Sequence, residues 1–179
     1  LLGKVLLYQD KFAEAASALD NVIGVYSLVS DYGSQFLRFG ENGPESVFEI
    51  QYSNQSNWYD WGCAHCSEGN YAIIMNGPRG WSGPEYAQGW SFNVPTAEFY
   101  NSFEEGDTRR DATVLDIEAF AAATGASYTE GYDHTGYFNN KYIPRAGESG
   151  GQTELNYLTN FRIIRYSDVL LMAAEAYNR

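Results

Sequence analysis

Six apolar side chains near the start of the chain, Phe12, Ala15, Ala16, Leu19, Val22 and Ile23, fall at i, i+3, i+4, i+7, i+10 and i+11 and draw one stripe along a helix. A shorter stripe of Leu2, Val5 and Leu6 precedes it, and Gln9-Asp10-Lys11 is the polar break between the two. Gly3, Ala15 and Ala16 are small enough to let the two helices approach closely. The spacing L-G-x-x-L…F-x-x-A-x-x-x-L-x-x-V resembles the end of one helix and the whole of the next in a tetratricopeptide repeat. The far end answers it with Tyr166, Val169, Leu170, Ala173, Ala174 and Tyr177 at helical spacing. Leu171 and Met172 make that last helix apolar on more than one side, which predicts burial between neighbours.

Between these ends the helical period fades. Phe48, Ile50 and Tyr52 alternate with Glu49 and Gln51, the pattern of a short strand. From Asn54 to Trp90 the chain is rich in Gly, Ser, Asn, Pro and aromatics, which reads as long ordered loops; loops of that length inside a domain tend to carry function. A short helix is predicted at Pro95-Thr96, with Thr96 as its cap, Phe99 and Phe103 on one face and Gly106 as its stop. Further short helices are predicted from Asp107 to Thr113 and from Ala119 to Ala123, and Gly147–Gly151 reads as a mobile surface loop. The fold class is therefore mainly α: helix pairs at 1–24 and 160–179 as a scaffold, and a loop-rich region with short strands and helices at 40–159, all in one domain of 1–179.

Composition narrows the function. Across 179 residues the formal net charge is −12, which disfavours nucleic acid, whose phosphates need Lys and Arg, and also disfavours adsorption to anionic lipid. Neutral ligands meet no such penalty. No apolar run approaches the roughly 20 residues of a membrane-spanning helix. Aromatics make up 16% of the chain, with fifteen tyrosines and four tryptophans, an excess that asks for a use beyond filling a core.

The candidate site lies in the ring-rich loops. Trp58, Tyr59 and Trp61 stand together, followed by Arg79, Trp81 and Tyr86, with Asn54, Gln55, Asn57, Asp60 and Asn76 interleaved. Flat rings stack on the apolar face of a sugar while amides, carboxylates and guanidinium bond its hydroxyls. Against that, large rings are the usual material of a core, and any one of them serves equally well to anchor a long loop. Three adjacent rings, however, do not all point inward easily, so Trp58, Tyr59 and Trp61 lead. Cys63-Ala64-His65-Cys66 has no second ligand pair for zinc and no strand-to-helix setting for redox work, leaving a local disulfide or inert thiols. There is no nucleophile elbow, phosphate loop or dinucleotide fingerprint, and His65 and His134 have no evident nucleophile partner. Asp60, Glu68 and Glu85 are the carboxylates a glycosidase would draw on, but in so acidic a chain such groups are ordinarily solvated surface. Glu104, Glu105, Asp107, Arg109 and Arg110 read as caps and braces of short helices. No catalytic residue, metal site or cofactor is expected.

Three strings carry a family likeness: Glu41-Asn42-Gly43-Pro44-Glu45-Ser46-Val47-Phe48-Glu49-Ile50-Gln51, the run from Pro95 through Phe99, Phe103 and Gly106 to Arg110, and the run from Ile163-Ile164-Arg165-Tyr166-Ser167-Asp168 to Ala176. Together they resemble the SusD/RagB family of nutrient-binding proteins. The resemblance implies a right-handed superhelix of tetratricopeptide-like pairs whose irregular half holds the ligand. It implies a lipid-anchored protein on the outer-membrane surface, seated on a SusC-like TonB-dependent transporter, that captures oligosaccharides, or in some members peptides, without chemistry. The chain opens and closes inside helical patterns, so an internal fragment is expected, with its anchor outside it. The binding loops of such proteins vary, and no ligand residue transfers by motif. The rival reading is a helical-repeat scaffold for protein–protein interaction.

Overall fold

The computed structural model describes residues 1–55, 61–150 and 156–179, leaving aside the side chains of Trp61, Ala64 and His65. In chain order its elements are α1 (Leu2–Leu7), α2 (Phe12–Asp20), β1 (Ser46–Ile50), α3 (Ala72–Met75), β2 (Arg79–Ser82), α4 (Ala97–Asn101) and α5 (Arg109–Thr113). They continue with β3 (Val114–Asp116), α6 (Ile117–Thr124), β4 (Ser127–Thr129), β5 (Tyr137–Asn139), β6 (Phe161–Arg165) and α7 (Tyr166–Asn178). Short 3-10 turns occupy Gly33–Phe36, Arg38–Gly40 and Trp61–Cys66. Among the described residues the strands form three antiparallel pairs, β1–β6, β2–β4 and β3–β5.

The helical ends meet as their patterns predict. Leu7, Ala15 and Ala16 pack with Ala176 of α7, while Leu19 joins Val169 and Ala173 in a second cluster. Gly3 sets the spacing of α1 on α2, because a Cβ there would stand 2.5 Å from Leu19 Cγ. The Tyr177 hydroxyl donates to the Asp20 carboxylate and closes the contact between α2 and α7. One expectation fails: Leu171 is 70% exposed. The mainly helical reading thus holds for the ends, while the middle interleaves short helices with paired strands.

The strand read from Phe48, Ile50 and Tyr52 is β1, and its partner arrives from the far end of the chain. Here the charged residues face inward. Glu49 pairs with Arg162 across the ladder, and both are buried, whereas Phe48 and Ile50 lie exposed on the outer side. The Arg162 guanidinium reaches Asn160 O at 2.6 Å and Leu37 O at 3.2 Å, with Glu49 at 3.7 Å and Glu41 at 3.9 Å. Arg165 at the end of β6 stands 3.6 Å from Glu45 and donates to Gln35 Oε1 at 3.0 Å. The Asp168 carboxylate then accepts the Arg165 backbone N–H at 2.8 Å, capping α7 as the strand becomes a helix.

In the middle region the short helices begin where capping chemistry allows. Thr96 Oγ1 accepts the Phe99 N–H, and Asp116 accepts the Ala119 N–H, so the helix predicted from Ala119 starts two residues earlier. Gly125 in the left-handed region ends it. Phe99 and Phe103 meet edge to face at 5.3 Å, as their spacing implies. Asp107 accepts the Arg109 N–H and its guanidinium, the brace anticipated for α5.

Candidate functional site

The ring-rich stretch contains more order than its composition suggests. Ile73 and Ile74 of α3 are almost wholly buried and pack with Tyr157, Met75, Trp90 and Tyr142. Gly77 and Gly89 bring two segments together: a Cβ on Gly89 would fall 2.3 Å from Gly77 Cα, a separation only paired glycines allow. A disulfide joins Cys63 to Cys66 within the turn that begins at Trp61, which settles the state of both sulfurs.

The predicted residues distribute as follows. Trp58 and Tyr59 lie outside the described residues, as does the Trp61 side chain, although its backbone opens the disulfide-closed turn. Arg79 is exposed at the start of β2; its Nε donates to Trp90 O at 2.7 Å and its guanidinium sits 5.6 Å from the Phe92 ring centre. Trp81 is half-buried, edge-on to Tyr86 at 5.9 Å and tilted against Phe120 at 5.9 Å. Tyr86 is only 6% exposed. Its ring faces Phe120 at 5.1 Å and the Arg145 guanidinium at 5.3 Å, and its hydroxyl donates to Asn140 Oδ1 at 3.2 Å. Burial pushes its phenol above the ordinary value of 10.0. Trp81 and Tyr86 are thus brought together with each other, inside a cluster that includes Leu115, Ile117, Phe138 and Ile143. Arg79 lies on the same strand as Trp81 but turns to Trp90 and Phe92 instead.

Of the carboxylates considered, Asp60 lies outside the described residues, and Glu68 and Glu85 are exposed in separate loops. His134 meets Tyr128, Nε2 to hydroxyl, at 3.3 Å. No motif or spacing points to Phe120, Asn140 and Arg145 as supports of Trp81 and Tyr86. Each comes from a different segment, and no local spacing encodes that meeting.

Against known proteins, the model of the SusD family matches residues 44–179. The chain belongs to the SusD family. Strands β1 and β6, the two halves of the ion-paired ladder, both fall within that match. SusD-like protein P2 of Formosa agariphila is 31% identical over 143 residues, covering 75% of this SusD-family chain and 26% of the relative. A laminarin-binding SusD-like protein superimposes with a TM-score of 0.88 at 39% identity, over 99% of this chain and 42% of that one. Surface glycan-binding protein A from Bacteroides thetaiotaomicron, in complex with laminarihexaose, gives 0.89 at 32% identity over 99% and 41%. The chain therefore spans about two fifths of the length of these solved structures and about a quarter of the Formosa relative.

Proposed function

We propose that this SusD-family chain belongs to a protein that captures oligosaccharides at the outer-membrane surface of a bacterium, without catalysing any reaction, for import through a SusC-like TonB-dependent transporter. The observation that carries the reading is the likeness over 99% of the chain to a laminarin-binding protein at 39% identity, so a laminarin-type glucan is the foremost ligand class. The transporter partner and the lipid anchor rest on the family resemblance alone. In this reading α1, α2 and α7 are part of a longer tetratricopeptide-like superhelix, and the segment from 54 to 90 is the ligand side. Trp58, Tyr59 and Trp61 supply stacking rings, Arg79 supplies hydrogen bonds from its exposed guanidinium, and Trp81 and Tyr86 hold the strand that presents Arg79.

The test is binding of the full-length protein to a panel of polysaccharides, laminarin included, by affinity electrophoresis and calorimetry. The Trp58→Ala, Tyr59→Ala, Trp61→Ala triple variant is expected to lose at least tenfold in affinity, as for the loss of stacked aromatic anchors, with its far-ultraviolet circular dichroism unchanged. A triple variant that binds as tightly as the parent moves the site away from this turn; a parent that binds no glycan ends the reading.

A further inference from the structure

We infer that the cleft between Phe92 and Phe161 is a second saccharide subsite, continuous with the Arg79 surface; this rests on the glycan-binding reading above. The cleft has a volume of about 330 Å³ and is bounded by α3 below and by Phe92, Asn93, Asn139, Tyr142 and Phe161 around it. That size falls within the range of small-molecule pockets, roughly 300–1,000 Å³. Two rings at its rim stay open to solvent, Phe92 at 50% and Phe161 at 41%. Both are held by other rings: Phe92 lies 6.2 Å from Trp90, edge to face, and Phe161 lies 5.2 Å from Tyr142.

The polar groups here are of one kind. Every polar side chain lining the cleft is an amide or the Tyr142 phenol, and none carries charge at neutral pH, in a chain whose net charge is −12. An ionic ligand would find no counter-charge in such a lining. A polyol with an apolar ring face finds both halves of what it needs, stacking surface and hydrogen-bonding amides. The amides are fixed from beneath, so their orientation is set before a ligand arrives. Asn139 Oδ1 accepts the N–H groups of Lys141 and Tyr142 at 3.0 and 3.3 Å, and among the described residues its Nδ2 donates to nothing. Asn93 is held by its Nδ2, which donates to Asn76 Oδ1 at 3.2 Å, and its own carbonyl oxygen accepts nothing among the described residues. One donor and one acceptor are therefore free at a cleft rimmed by two exposed rings. Arg79 ties this cleft to the first surface, because its guanidinium packs on the same Phe92 ring.

Two variants of the full-length protein test the subsite by calorimetry with laminarihexaose. Phe92→Ala with Phe161→Ala removes both open rings. Asn139→Asp keeps the oxygen that bonds Lys141 and Tyr142 but replaces the free N–H₂ donor with a second, charged oxygen. Each is expected to weaken hexaose binding by about tenfold with thermal midpoints near that of the parent. Hexaose affinity within twofold of the parent in both variants would overturn the subsite while leaving the capture reading intact. A parent that binds neither hexaose nor laminarin would remove both. Should the ring variant fold poorly, Asn139→Asp alone decides.

Discussion

Two strand pairs in this chain, each of two strands, are held by opposite means. The β1–β6 ladder turns Glu49 and Arg162 inward and leaves Phe48 and Ile50 outside. The β2–β4 pair rests on a cluster of rings, Trp81, Tyr86 and Phe120, with apolar Leu115, Ile117 and Phe138 beneath. An isolated two-stranded ribbon is marginal in water, so each needs support from elsewhere in the chain. The first gains it from long-range charge pairing between residues more than a hundred positions apart. The second gains it from ring packing among Trp81, Tyr86 and Phe120. Two of the three strings with family likeness sit at the first ladder, where a lost partner leaves a buried charge.

The largest effect is therefore expected at Arg162. Its side chain is 3% exposed and that of Glu49 is 2% exposed, so neither has water to fall back on. Arg162→Met should lower stability by about 3–5 kcal/mol in urea unfolding at neutral pH, since it leaves the Glu49 carboxylate buried without its cation. A loss below about 1 kcal/mol would mean that Asn160 and the Asn42 N–H suffice for Glu49, and the ladder would not differ in kind from the ring cluster.

At Tyr86 the comparison predicts a smaller change and a separation of stability from binding. Tyr86→Phe removes one hydrogen bond to Asn140 Oδ1, which keeps its bond from Arg145 at 3.2 Å. The expected cost is about 0.5–1.5 kcal/mol. Laminarin affinity should stay within twofold of the parent. A large loss of affinity at unchanged stability would make Tyr86 a ligand contact and reverse its assignment as a support.

How much of this was legible beforehand follows the same divide. Local period announced α2 and α7, and Gly3 with Ala15 and Ala16 announced the close approach of α1 to α2. The alternation at Phe48–Tyr52 announced β1, but alternation gives two faces and does not say which is buried. That choice was made by Arg162, which no nearby residue points to. Ile73 and Ile74 were hidden because a four-residue helix has no period to recognise, and the run around them carries loop composition. The cleft between Phe92 and Phe161 was invisible for a further reason. Its walls come from segments near 70–76, 92–93, 139–142 and 161, each unremarkable alone.

The smallest effect, and the most direct contrast of the two kinds of region, is in the titration of two carboxyls. Glu41 lies against the ion-paired ladder, and burial pushes its pKa above the ordinary 4.5, only partly offset by the Asn160 N–H and by Arg162 and Arg38. Asp107 is half-buried before α5, and hydrogen bonds from the Arg109 guanidinium and backbone N–H lower it to about 2. The signs oppose each other. Glu41 holds its proton more tightly when folded, so its contribution is fully present below the unfolded value and is lost as pH rises through the raised one. Asp107 favours the folded state in its ionised form, so its contribution is present above 3.8 and is lost as pH falls through about 2. Carbon-detected nuclear magnetic resonance of the two side chains should find midpoints displaced in these opposite directions, with Arg109→Ala returning Asp107 toward 3.8. Equal, ordinary midpoints would show that Glu41 is solvated in solution and that Arg109 does not hold Asp107, erasing at both sites the difference between a desolvated carboxyl and a hydrogen-bonded brace.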